Sequence, residues 1–133
     1  MEEGRRAGAE IRLDGGLFGL REHDAFVLCD LDADNPIRCL VSCRDPEVQL
    51  LVVDAEEAWP GYPIERARGA FGGGEETAVA LIVTVPADGG QPTANLMAPI
   101  VIGLESRTGR QLVLEQRDLV VDAPIGRVRE AAG

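Results

Sequence analysis

His23 is the single histidine of the chain and lies between Glu22 and Asp24, and an imidazole beside carboxylates is the combination that orients a general base. Successive residues of an extended chain point to opposite sides, and the sequence sets no serine or cysteine nucleophile beside it, so this spacing assembles no hydrolase. Cys29, Cys39 and Cys43 are the soft ligands available. Three thiols and one distant imidazole make a poor tetrahedral zinc site. Cys29 ends the apolar run Phe26-Val27-Leu28, where a free cysteine behaves as a small hydrophobe. The odd count, with no apolar signal segment after Met1-Glu2-Glu3-Gly4-Arg5-Arg6, leads us to expect three buried, reduced, metal-free thiols in a cytoplasm.

Asp30-Leu31-Asp32-Ala33-Asp34-Asn35 starts like a calcium loop, but Asn35 stands where glycine is needed and Val41 where a bidentate glutamate is needed. The stretch reads as an acidic, solvated turn, with Asp32 and Asp34 as candidate partner contacts. Gly72-Gly73-Gly74 has neither dinucleotide-loop spacing nor the Gly-Lys-Ser/Thr end of a phosphate loop, and reads as a connector. No cofactor is called for, and no constellation supports an enzyme.

The chain has 23 acidic and 13 basic residues, a net charge of -10, and every basic residue is arginine. Nucleic acid is a poor ligand for such a field, whereas basic proteins are steered towards it. Most of the acidic excess falls in the first half. At 133 residues the expectation is one domain, 1–133, burying roughly two-thirds of its unfolded surface. No uncharged stretch approaches the ~20 apolar residues of a membrane span.

The elements that must carry any site are mostly strands: short Val-, Ile- and Leu-rich runs bounded by Gly, Pro, Asp or Asn. Strands are predicted at 10–13, 25–31, 37–43, 48–54, 77–85, 94–104 and 110–116. Turn clusters at 32–36 and 42–46 make the second, third and fourth an antiparallel meander, and residues 105–109 close a last hairpin in which Gly109 is free to take a positive φ. One short helix is predicted within 64–71, ended by the glycines that follow. Leu50–Val53 and Val79–Val83 are apolar at consecutive positions, which requires burial on both faces. An all-β fold, a small antiparallel β-barrel-like domain with at most one short helix, meets that need and removes exposed edges. Residues 123–133 read as a frayed tail.

Trp59 and Tyr62 flank a Pro-Gly turn, where amphipathic aromatics either cover the core or anchor a partner. The run Thr93-Ala-Asn-Leu-Met-Ala-Pro-Ile-Val-Ile102 is interrupted by Asn95 and Pro99. Pro99 donates nothing to a ladder, so this strand is kinked, bulged or at an edge, and Asn95 satisfies backbone left unpaired there. Both are candidate partner contacts, with Pro99 on the lip of a groove.

Asn95-Leu96-Met97-Ala98-Pro99-Ile100-Val101, returning as Gln111-Leu112-Val113-Leu114, resembles the signature of the FliW family of bacterial flagellar assembly factors. Two more blocks are similar in the same order: Gly16-Leu17-Phe18-Gly19-Leu20-Arg21-Glu22-His23 with Phe26-Val27-Leu28, and Asp45-Pro46 leading into Leu50-Leu51-Val52-Val53-Asp54. Together they span about 11–122. Phe18 replaces the proline of the family's Gly-Leu-Pro-Gly turn, the aromatic cluster is thinned to Trp59 and Tyr62, and the N-terminal strand pair is shortened. The resemblance implies a compact β-barrel-like fold, and a cytoplasmic protein that binds flagellin and antagonises CsrA, the RNA-binding repressor of flagellin translation, by switching partners. The alternatives are another interaction module without a flagellar role, or a small-ligand barrel, which would need an apolar cavity of ~300 Å³ or more.

Overall fold

The computed structural model describes residues 10–31, 35–72 and 74–125. Among the described residues, nine strands and two short helices follow one another as β1 (Glu10–Leu13), β2 (Ala25–Asp30), β3 (Arg38–Ser42), β4 (Gln49–Asp54), α1 (Ala55–Ala58), α2 (Ile64–Phe71), β5 (Thr77–Thr84), β6 (Thr93–Ala94), β7 (Ile100–Gly103), β8 (Thr108–Gln111) and β9 (Ala123–Pro124). The sheet order is β4-β3-β2-β1-β8-β7-β5, and β4 also pairs with β5, which closes seven strands into a barrel. The expected β2-β3-β4 meander is present, with Cys29 opposite Cys39 and Cys39 opposite Leu51.

The all-β barrel expected from the sequence is therefore found, with three local differences. Closure runs through one parallel pair, β1 with β8, which no tight turn announces. A second helix, the single turn α1, forms because the Asp54 carboxylate accepts the Glu57 amide at 3.0 Å and caps it. The predicted 94–104 strand is divided into β6 and β7, both paired with β5. α2 occupies its predicted span and ends on Gly72 at φ 70.

Alternation along the strands separates two cores. Inside the barrel lie Ile11, Leu13, Phe26, Leu40, Val52, Ile100 and Ile102. Outside it, α1, α2 and the segment 112–125 cover the other face of β4, β5 and β7, burying Val53, Val79, Leu81, Val83 and Val101 with Tyr62, Leu96, Leu114 and Ile125. That is why Leu50–Val53 and Val79–Val83 are apolar at consecutive positions. The stretch expected as a frayed tail begins in order: Ala123 and Pro124 pair with β6, and Ile125 is buried. Residues 126–133 lie outside the described part.

The last turn also differs from expectation. Arg107, not Gly109, takes the positive φ, at 62°. Gly109 sits inside β8, where a Cβ would collide with the Val101 carbonyl oxygen. Glycine is required there for close strand approach rather than for a turn.

Candidate functional site

One end of the barrel is closed by the loop between β1 and β2. Leu17 is 2% exposed and joins the interior core, with Leu20 packed against it. The loop is locked by the Phe18 amide donating to Gln111 Oε1 at 2.8 Å, while Gln111 Nε2 donates to the Ala98 carbonyl at 3.2 Å. His23 is buried in the same plug. Its Nδ1 lies 2.7 Å from Ser42 Oγ, and its Nε2 lies 3.8 Å from Glu22. The sequence placed no serine beside His23; register places Ser42 there. Ser42 Oγ also accepts from the amides of Arg44 at 3.1 Å and Asp45 at 3.3 Å, and the residue is 2% exposed. With its acceptor positions filled and no access for a substrate, this serine orders the β3–β4 turn instead of attacking a carbonyl.

The Asn95–Pro99 segment forms a bulge on the outside of the barrel. Ala94 pairs with Val83 and Ile100 with Ala80, so residues 95–99 stand opposite only Leu81 and Ile82. Asn95 Oδ1 accepts from the amides of Met97 at 3.0 Å and Ala98 at 3.1 Å, as expected of an amide serving backbone near the proline. The carbonyls are taken as well: Leu96 by the Tyr62 hydroxyl at 2.6 Å, Met97 by the Leu114 amide, Ala98 by Gln111 and Pro99 by the Leu112 amide. The hydrogen-bonding groups around Pro99 are therefore met within the chain. Pro99 is fully buried, and the chain itself occupies those groups.

Of the aromatic pair, Tyr62 is 5% exposed, and burial pushes its phenol up to about 12, with Arg66 opposing. It holds the bulge to the helices through the Leu96 carbonyl. Trp59 is half-buried against the outer core and keeps a face to solvent. Asp32 and Asp34 lie outside the described residues. The expectation of three buried thiols holds for two: Cys29 and Cys39 are buried cross-strand partners, whereas Cys43 is exposed at the end of β3. Partial desolvation and then Glu10 raise the Cys43 thiol, with Arg12 opposing. None of the three forms a disulfide, and no group of three or more ligating side chains occurs among the described residues.

Two clefts remain. One, of about 530 Å³, lies outside the parallel β1–β8 pair between Arg12, Asp14, Asp24, Phe71 and Arg110. Arg110 stands 5.9 Å above the Phe71 ring and donates to the Ala70 carbonyl at 3.1 Å. The other, of about 320 Å³, enters the barrel at the end opposite the plug, between Leu28, Arg38, Leu40, Val52, Asp54, Glu57, Ala80 and Ile102. It reaches the size set for a ligand-holding barrel. Its position was not legible in the sequence, although Ala78 and Ala80 on β5 were the signal: small side chains at inward positions leave a barrel unfilled.

Residues 4–125 match the family model described as FliW protein. The chain belongs to the FliW family. Curated FliW relatives include the flagellar assembly factors of Bdellovibrio bacteriovorus, 36% identical over 83% of this chain and 66% of that protein, and of Syntrophomonas wolfei, 29% identical over 91% and 81%. The chain thus spans a little under two-thirds of the length of the first and about four-fifths of the second. A crystal structure of a flagellar assembly factor FliW superposes with a TM-score of 0.72 at 28% identity, covering 87% of this chain and 84% of that one. The three FliW-like blocks acquire distinct structural duties here. The Gly16–His23 block is the plug, the Asp45–Asp54 block forms the turn into β4 and the strand itself, and the Asn95–Val101 block is the bulge with the start of β7. Phe18 stands 47% exposed, so proline's replacement puts an aromatic ring on the outside of the FliW plug. No described helix is long and apolar enough to cross a membrane.

Proposed function

We propose that this chain is a cytoplasmic flagellar assembly factor that holds flagellin before export and, once export depletes flagellin, binds CsrA and relieves its repression of flagellin translation. Membership of the FliW family carries this reading. The acid-rich surface supports it, because CsrA is an RNA binder with basic surfaces and a field of this sign favours its approach. It acts by binding proteins, not by catalysis and not by contacting nucleic acid. Each partner shifts the other only through differential affinity, so the two sites overlap or are negatively coupled. Asn95 and Pro99 serve binding indirectly by shaping the bulge, while Trp59, Asp32 and Asp34 are the candidate direct contacts.

The test is a titration of flagellin into a preformed complex with CsrA. Displacement of CsrA is expected, and CsrA affinity should fall as salt rises and on charge reversal at Asp32 and Asp34. A stable ternary complex with unchanged affinities would overturn the switch. Asn95→Ala is measured beside it with a denaturation curve, because unpairing the Met97 and Ala98 amides costs about 1–3 kcal/mol and can weaken binding through the fold alone.

A further inference from the structure

On β5 the outward residues Val79, Leu81 and Val83 are buried, while the inward-facing Ala78, Ala80 and Ile82 retain solvent exposure. This inversion marks an incompletely filled barrel. The plug fills the end bounded by Ala25, Ser42 and Gln111. The opposite end, where β2, β4 and β7 finish and β3 and β5 begin, keeps the cleft of about 320 Å³. Two of the exposed large hydrophobic side chains lie at this end: Leu31, just after β2, is 50% exposed, and Leu104, just after β7, is 49% exposed.

Charge at this mouth is lopsided. Asp54 and Glu57 line it and have no salt-bridge partner among the described residues, while the lining Arg38 is neutralised by Asp30 at 2.7 Å. Glu56, Glu75, Glu76 and Glu105 lie at strand and helix termini of the same end. An apolar hollow, exposed leucines and carboxylates without a salt-bridge partner among the described residues match a cationic amphipathic surface. A second copy of this acidic chain would meet like charge.

We propose that the open end of the barrel docks a cationic amphipathic segment of a partner protein. One aliphatic side chain of that segment enters between Leu28, Leu40, Val52, Ala80 and Ile102, and its flanking Lys or Arg residues meet Asp54 and Glu57. The proposal deepens the partner-binding reading above and rests on it, but it locates a surface that can be tested without either named partner.

The probe is a synthetic amphipathic helix of Leu and Lys, titrated into protein carrying ¹³C-labelled methyl groups, with a Leu/Glu helix as control. Shifts are expected at the methyls of Leu28, Leu40, Val52 and Ile102 with the Leu/Lys helix only. Ala80→Leu, which fills the hollow, and Glu57→Arg, whose carboxylate makes no salt bridge among the described residues, should each weaken binding by at least about tenfold. If Ala80→Leu does not fold, Ala78→Leu at the rim replaces it. Shifts elsewhere, or affinity unchanged in both variants, would overturn the proposal. So would mouth shifts caused by hexanol but not by the peptide, which would mark a small-ligand pocket, or self-association abolished by Ala80→Leu, which would mark a dimer face. Flagellin and CsrA are then tested on the same variants. If wild-type protein binds neither while the peptide maps to the mouth, the flagellar reading fails and the docking site stands; if both bind every variant equally, the reverse holds.

Discussion

Replacing Tyr62 with phenylalanine removes one hydroxyl and leaves the ring in place, so the loss is confined to the 2.6 Å bond to the Leu96 carbonyl. That carbonyl lies in the buried bulge, where Leu96 is 1% exposed, so Tyr62→Phe should destabilise the fold by about 1–3 kcal/mol near neutral pH. The pH dependence gives a sharper test. Burial lifts the folded phenol from its ordinary 10 to about 12, so the unfolded chain ionises first. The hydroxyl's contribution is therefore complete below pH 10 and is lost as pH rises towards 12, at up to about 1.4 kcal/mol per pH unit. Denaturant curves at about pH 8 and about pH 11 should show the gap between wild type and Tyr62→Phe shrinking by about 1.4 kcal/mol. Tyr62 is the only tyrosine and the chain has no lysine, so tyrosinate absorbance reports this group alone and the cysteines, common to both variants, cancel in the comparison. A native titration near 10, or a gap that does not change with pH, would refute the argument that this phenol is a buried donor.

Gly109→Ala should cost more than the ~1–3 kcal/mol of an ordinary overpacked site, because the new methyl meets the Val101 carbonyl and the Ile102 Cα, backbone atoms that cannot move aside; thermal melting of a variant that stays at wild-type stability would show that β7 and β8 are not so close. In the native protein one thiol of three, Cys43, should react with a disulfide reagent, faster as pH rises beyond the ordinary thiol range because its pKa is raised, with Cys29 and Cys39 released only on unfolding; three equally fast thiols would contradict the buried β2–β3 pair.

Local chemistry in the sequence determined the first five strands, their meander and the helix stop, because turn clusters and apolar periodicity are read over a few residues, whereas the expected strands 94–104 and 110–116 are broken into β6 and β7 and shortened to β8. Consecutive apolar runs at Leu50–Val53 and Val79–Val83 further required a sheet covered on both faces, and three ordered blocks sufficed to indicate the family. Tertiary structure alone decided what depends on contacts between distant positions. Ser42 reaches His23 from 19 residues away, the Tyr62 hydroxyl reaches Leu96 from 34, and Gln111 locks the plug from 93. Pattern specifies which face of a strand is apolar but not which strand lies beside it, so the parallel β1–β8 closure, the tight approach at Gly109 and the pairing of Ala123–Pro124 with β6 were invisible beforehand. The same limit explains the mouth. Alanines at 78 and 80 read as ordinary strand residues until closure shows that they face inward, where their missing volume becomes a cleft.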